Sequence, residues 1–400
     1  MVTGDTPSAW WPDEGRATHA VVDLDAIHAN IDVVRRHVDG AHVIAVVKAN
    51  AYGHGAVVVG RSAIDHGASM LAVACVDEAL ELRSGGISAP ILVLGPADPA
   101  EYVAAFGAGV MLSLATLEQV AGAERVAERC GLNNATVHLK VETGMNRYGA
   151  RPEEALDVAR LIAGSEHLHL GGVFTHFADA DGEDLTFTDQ QVQALVRTVE
   201  MLVRAGIDPG TVHTSNTAGT FRLGRGVSQA VRLGIGLYGL SPDPSIPLLP
   251  GMRPALSLRT RVAQVRQLQR GDTVSYGRTW RADGDENVAL LPIGYADGLR
   301  RAVSNQGWVG IGGQQAPIRG RVCMDQVVVG RPEVDVRAGT AVTVIGDPST
   351  GAMTMEDVAR LTGTINYEIA TGIAARVPRW YLVGERPVAH AKGGTVRWLS

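Results

Sequence analysis

From Asp23 to about Gly239 the chain alternates short apolar runs with longer amphipathic ones. The short runs are rich in β-branched residues and bounded by turn formers, the pattern of strands covered on both faces. They fall at His42–Lys48, Met70–Cys75, Ile91–Leu94, Val110–Leu114, Thr136–Val141, Gly172–His176, Thr211–His213 and Ala230–Ile235. Between them the spacing predicts helices over Ala56–His66, Asp77–Arg83, Ala115–Cys130, Pro152–Ala163, Thr188–Ala205 and Ala218–Leu223. Strand–helix alternation repeated about eight times fits an N-terminal α/β domain, a (β/α)8 TIM-like barrel. An open doubly wound sheet has the same periodicity and stays open as the alternative.

The pattern breaks at Ser241–Pro254, SPDPSIPLLPGMRP, where proline can continue neither a helix nor a central strand. Beyond it Ala255–Leu268 alternates and Gly271–Asp272 turns the chain. Strands are expected at Asn287–Ile293, Trp308–Ile311, Ile318–Cys323 and Ala341–Ile345, with one helix, Thr354–Thr362, among them. The expected organisation is a flexible tail over 1–16, a barrel over 24–253, and a C-terminal mainly-β domain over 254–391. A strand within 17–23 joins the latter, and a second tail covers 392–400.

Composition narrows the class. A 400-residue chain with 46% hydrophobic and 20% charged residues has room for two ordinary globular cores. A net charge of −6 argues against a nucleic-acid partner, which would call for a basic face. Cys75, Cys130 and Cys323 leave an odd count without paired spacing, which suggests reduced thiols. The first fifteen residues lack the apolar core of a signal peptide, and no apolar run is long enough to span a bilayer. The expected location is the cytoplasm, with no membrane partner.

Reactive residues of a barrel gather where its strands end. Here those ends supply Lys48 with Tyr52, Lys140 with Arg147, His176, His213 with Asn216 and Thr217, and Arg232 with Gly234. The set is cationic and suits an anion. Lys48, in AVVKANAYGHG, sits where an apolar strand leaves the core; an amine held there loses hydration, becomes less basic and can condense with an aldehyde. The loop GIGLYG, Gly234–Gly239, spells a dinucleotide fingerprint but runs into prolines instead of opening a helix. The backbone N–H groups of Gly234 and Ile235 fit a phosphate after the last strand instead. A lysine near a phosphate site with no Walker signature points to pyridoxal 5′-phosphate. No metal is expected: the 12 histidines show no HExxH pattern and the cysteines lack zinc spacing.

The ordered motifs AVVKANAYGHG, HLKVETGMNRYG, HTSNTAG, VRLGIGLYG, VSYGRTW, GYADG, GRVCMDQ, TINYEI and RVPR run through both expected domains. Together they resemble the alanine racemase family over nearly the whole chain. The resemblance implies a homodimer that interconverts L-alanine and D-alanine with pyridoxal 5′-phosphate, in bacteria chiefly to supply D-alanine for peptidoglycan. It implies Lys48 as the Schiff-base lysine and the base for D-alanine, and Tyr276 of the partner subunit as the base for L-alanine. His176 resembles a relay between Tyr276 and Arg232, and Arg232 the group facing the pyridine nitrogen. Arg147 resembles a contact to the cofactor's phenolic oxygen near the substrate carboxylate, which the backbone N–H of the partner subunit's Met324 also reaches. Tyr52, Tyr367, Asn216, Thr217, Gly234 and Ile235 match the cofactor's remaining surroundings, and Lys140 a lysine that is carbamylated in some relatives. Thr217 departs from a common serine and keeps the hydroxyl, and Glu142 replaces a common aspartate, a change expected to matter little. The alternatives are a serine or broad-specificity racemase of the same family and a non-catalytic cofactor-binding protein, which would lack the second domain. A decarboxylase of the same architecture would call for an acid in place of Arg232.

Overall fold

The computed structural model describes residues 10–12, 15–330, 332 and 335–399. Among them the chain forms two compact units, one over Ile27–Ala51 and Val59–Arg253, the other over 10–26, Tyr52–Val58 and Pro254–Leu399.

The first unit is a closed parallel barrel, which removes the open-sheet alternative. After a strand of the other unit, β1 (His19–Asp23), its eight strands are β2 (His42–Val46), β3 (Met70–Val73), β4 (Ile91–Val93), β5 (Met111–Leu114), β6 (Ala135–Lys140), β7 (Leu168–Phe174), β8 (Thr211–His213) and β9 (Ala230–Leu233). The ring closes where β9 pairs with β2, Ala230 opposite His42. Ile44, Leu71, Leu92, Leu112, Leu139, Val173 and Val231 are buried, as strands covered on both faces require. Flanking helices follow the periodicity. In Leu117–Arg129, Val120, Ala123, Val126 and Ala127 form the buried stripe, and the Thr116 hydroxyl caps the start by accepting from the Gln119 N–H at 3.2 Å. In β7, a side chain at Gly172 would come within 2.6 Å of the His138 imidazole, so the glycine makes room for a histidine inside the barrel.

The second unit carries an eleven-stranded sheet among the described residues. There β1 runs antiparallel to Leu256–Arg261, with Ala20 opposite Leu258, and parallel to Arg379–Val383, with Val21 opposite Trp380. Several expectations need correction. The strand expected at Ile318–Cys323 is Gln314–Arg319; Gly320, at φ +76°, then turns the chain away. A second helix, Asn366–Thr371, follows Met355–Thr362. The C-terminal tail is not a tail: Thr395–Trp398 pairs antiparallel with Arg386–Lys392 across a Gly393–Gly394 turn, both glycines at positive φ, a hairpin signal in plain view. Of the expected N-terminal tail, residues 1–9, 13 and 14 lie outside the described residues. Trp10 packs on Trp380 with ring centroids 5.1 Å apart, and Arg16 is held in two bonds, of 2.6 and 2.8 Å, by the buried Asp297 carboxylate. Apolar contact and an ion pair thus seat a segment that sequence proximity to the terminus suggested was loose. Among the described residues no helix is long and apolar enough to cross a membrane.

Candidate active site

Lys48 lies two residues beyond the end of β2, where the backbone reverses hand. Ala49, Asn50, Ala51 and Tyr52 have φ of 52°, 54°, 53° and 50°, a left-handed turn without a glycine. Each such residue costs roughly 1–2 kcal/mol, so the surroundings must hold the turn in place. Burial lowers the basicity of the Lys48 amine below that of an ordinary lysine; Arg147 lowers it further, Glu78 opposes, and Arg232 adds to the decrease.

The ends of β6 to β9 supply the rest of the barrel set. Lys140, the last residue of β6, is buried, with its ammonium 5.3 Å from the centre of the Phe174 ring. Burial first, then Arg232 and Arg147, bring it down to about 8, so part of it is neutral amine near pH 7. Glu142 accepts the backbone N–H groups of Gly144 at 2.6 Å and Arg147 at 3.2 Å, which shapes the loop presenting Arg147.

Arg232, at the end of β9, is buried against Phe174, and both terminal nitrogens are saturated. Nη1 donates to the carbonyl and Nδ1 of His213, each at 2.9 Å. Nη2 donates to the carbonyls of Thr175 at 2.7 Å and Thr214 at 2.8 Å and to Nδ1 of His176 at 3.2 Å. A guanidinium has no acceptor, so His213 presents a lone pair on Nδ1 and carries its proton on Nε2; the two Nη2 hydrogens go to the nearer carbonyls, and His176 can only share one of them. His213 then donates from Nε2 to Nδ1 of His138 at 3.0 Å. Burial, followed by Arg232, holds His138 at about 4 and pushes His176 and His213 well below 6.5, so all three are neutral at pH 7. Burial brings Arg232 itself to about 9, still protonated at pH 7. Its Nε is buried and makes no hydrogen bond, a donor with a vacant direction.

Thr217 Oγ1 accepts the backbone N–H groups of Gly234 at 3.1 Å and Gly236 at 3.3 Å. Gly236 has no room for a side chain, since a Cβ would meet the Thr217 methyl at 2.8 Å. Asn216 caps the following short helix by accepting from the Gly219 N–H at 2.9 Å. Ile235 starts the next turn and is buried.

The other expected residues belong to the β-rich unit. Tyr52 and Tyr367 face each other there with ring centroids 6.0 Å apart. Tyr276 is 72% exposed, and Met324 is 53% exposed. The loop before Tyr276 is tied down by Ser275, at φ +65°, whose hydroxyl donates to the Arg321 carbonyl at 2.6 Å. The Met324 loop is pinned by the N–H groups of Tyr295 and Ala296, each 3.0 Å from the carbonyls of Cys323 and Met324 respectively. No group of histidine, cysteine or acidic side chains among the described residues could hold a metal. Sequence reasoning missed His138 and undervalued His213. A histidine within or ending a strand reads as core until its partner is seen, so neither carried a distinct signal.

The N-terminal domain of alanine racemase, as a family model, matches residues 22–242, and the C-terminal domain matches 255–381. The alanine racemase of Geobacillus stearothermophilus is 43% identical over 378 residues, 94% of this chain and 96% of that protein. A crystal structure of alanine racemase from Bacillus anthracis with bound L-Ala-P superposes with a TM-score of 0.87 at 40% identity, covering 95% of this chain and 99% of that one. A histidine racemase from Leuconostoc mesenteroides superposes with a TM-score of 0.86 at 30% identity, covering 94% of this chain and 100% of that one.

Proposed function

From the premise that this chain belongs to the alanine racemase family, we propose that Lys48 holds pyridoxal 5′-phosphate and that Tyr276 of the partner subunit completes the site. The activity is the isomerisation of alanine between its L and D forms. The observation that carries the cofactor reading is Arg232. Its terminal nitrogens are spent on carbonyls and histidines, while its buried Nε has no partner and can donate to an unprotonated ring nitrogen. Thr217 and the N–H group of Ile235 fit the phosphate, which would also take up the Gly234 N–H that Thr217 accepts here; Asn216 shapes the turn, and Tyr52 and Tyr367, side by side in the β-rich unit, are the further cofactor residues this reading names.

When bound, the cofactor supplies the electron withdrawal that makes the α-hydrogen of the amino acid removable. The chain supplies the rest. Lys48, made less basic by burial and cationic neighbours, exchanges a proton at the α-carbon on one face. Tyr276 of the partner subunit exchanges one on the other face, which is why inversion follows where a single base would return the proton it took. Arg147, with the backbone N–H of the partner subunit's Met324, holds the substrate carboxylate. Arg232 cannot accept a proton as a carboxylate would, so it restrains charge build-up on the ring and favours racemisation over transamination. Lys140, buried and partly neutral, is disposed to carbamylation, which would set an anion beside Arg147.

Borohydride reduction of the holoenzyme followed by peptide mapping should place the label on Lys48; a label elsewhere ends the reading. Mixing Lys48→Ala and Tyr276→Ala chains should restore activity through heterodimers with one intact site, and failure after confirmed exchange of subunits rules out the shared site. The histidine racemase of the same fold keeps a second substrate class in view, so a chiral assay over a panel of L-amino acids decides breadth. The reading assigns the D-alanine to peptidoglycan precursors made in the cytoplasm, in keeping with free thiols at Cys75, Cys130 and Cys323.

A further inference from the structure

Glu78 lies in the first turn of the helix Val76–Ser84, just beyond β3, and no sequence motif drew attention to it. Its two carboxylate oxygens are divided between two elements. Oε2 accepts the N–H of Ala74 at 2.8 Å, the kind of bond that finishes a helix start. Oε1 accepts the N–H of Ala49 at 2.6 Å, and that bond is not needed by the helix at all. Ala49 follows Lys48 and is the first residue of the left-handed turn. Glu78 is also the acidic side chain whose charge acts on the Lys48 amine, against Arg147 and Arg232.

We propose that Glu78 is a positioning residue for Lys48: its carboxylate clamps the first amide of the left-handed turn to the end of β3 and so fixes where the lysine leaves the barrel. This deepens the reading of Lys48 as the cofactor lysine and rests on it. A left-handed run of non-glycine residues relaxes readily unless its first amide has a fixed acceptor, and water offers none with a fixed direction. A charged acceptor makes the stronger bond, and its reach across two loops sets the lysine's backbone within the tolerance that proton transfer demands.

Amide hydrogen exchange read by mass spectrometry on the full-length holoenzyme tests the clamp. In Glu78→Ala the peptide spanning Ala49–Tyr52 should exchange at least about tenfold faster than in the parent. Turnover should fall about ten- to a hundredfold while KM for alanine changes less than about threefold. Glu78→Gln keeps the length but only one acceptor oxygen for two N–H groups, so protection at Ala49 should fall between that of the parent and that of Glu78→Ala. Glu78→Asp keeps the charge but shortens the reach, so it should behave like Glu78→Ala. Exchange at Ala49–Tyr52 unchanged in Glu78→Ala, or faster only within Val76–Ser84, overturns the clamp and leaves Glu78 a helix cap. Borohydride mapping in the same samples separates the premises: label on Lys48 with unchanged exchange defeats the clamp alone, and label elsewhere defeats the cofactor reading beneath it.

Discussion

The two units furnish their parts of the chemistry in opposite ways. In the barrel, Arg232 and His213 are buried and held by neighbours in the same unit; the two terminal nitrogens of Arg232 meet five acceptor contacts, one hydrogen being shared, and its Nε is left without a partner. In the β-rich unit, Tyr276 and Met324 stand exposed on loops whose backbones are tied down but whose side chains touch little. A buried cation without a carboxylate must be held by dipoles and lone pairs, so its removal damages the fold as well as the reaction. An exposed phenol on a pinned loop costs the fold almost nothing, which suits the proposed role of Tyr276 toward a second copy of the chain.

Two substitutions test that contrast most sharply. Tyr276→Phe removes the oxygen proposed to transfer the proton and should lower racemisation about 10³-fold, while the stability measured by denaturant stays within about 0.5 kcal/mol and the cofactor absorbance remains. A stability loss above that range would mean the phenol is built into its own unit. Arg232→Lys keeps the charge but strands several acceptors, and should cost about 2–4 kcal/mol of stability together with activity. Arg232→Glu, assayed by pyruvate formed per racemisation event, should raise transamination; unchanged partitioning breaks the proposed restraint.

The barrel's part was the more legible of the two. Eight apolar runs of the right length sit at or within a few residues of the eight observed strands, because a strand covered on both faces leaves a continuous apolar mark. The β-rich unit has strands exposed on one face, and there local pattern competes with turn chemistry. Gly320 cut a predicted strand short, and Gly393–Gly394 made a hairpin where composition suggested a tail. In the site, Lys48 and Arg232 announce themselves by charge at an apolar strand end. The histidines His213 and His138 do not, since a buried neutral imidazole reads as core until its partner is seen. Glu78 and Glu142 act through backbone N–H groups, which no residue pattern marks.

Acid should strike the barrel harder than the other unit. His138 has a folded value of about 4 against 6.5 unfolded, so below pH 6.5 the unfolded chain binds the proton the folded one refuses. Stability is whole above pH 6.5 and drains as pH falls toward 4, by about 3 kcal/mol for this group alone. His176 and His213 shift the same way and add to the loss. In the β-rich unit burial brings His19 near 4 and also lowers His390. There Asp297 works in the same sense but in a lower window: although burial raises its carboxyl, Arg16 and Arg376 bring it below 3.8, so its contribution is lost only as pH falls below the ordinary carboxylate range. Hydrogen exchange between pH 7 and 5, resolved by peptide, should therefore loosen barrel strands β6 and β8 before the sheet around β1. His138→Gln should flatten the slope if the imidazole causes it.

The smallest effect concerns the left-handed turn. Ala49 is exposed and carries its methyl at φ 52°, a conformation that glycine adopts without steric cost. Ala49→Gly relieves roughly 1–2 kcal/mol of local strain and gives back roughly 0.5–1 kcal/mol in unfolded-chain entropy. A net gain of at most about 1.5 kcal/mol should appear in the denaturant midpoint. Ala49→Val adds a β-branch to the same φ and should lose more than Ala49→Gly gains. A stabilised Ala49→Gly enzyme that turns over more slowly would mean the strain serves the lysine's position, whereas unchanged turnover would mean that the hydrogen bonds around the turn suffice to hold it.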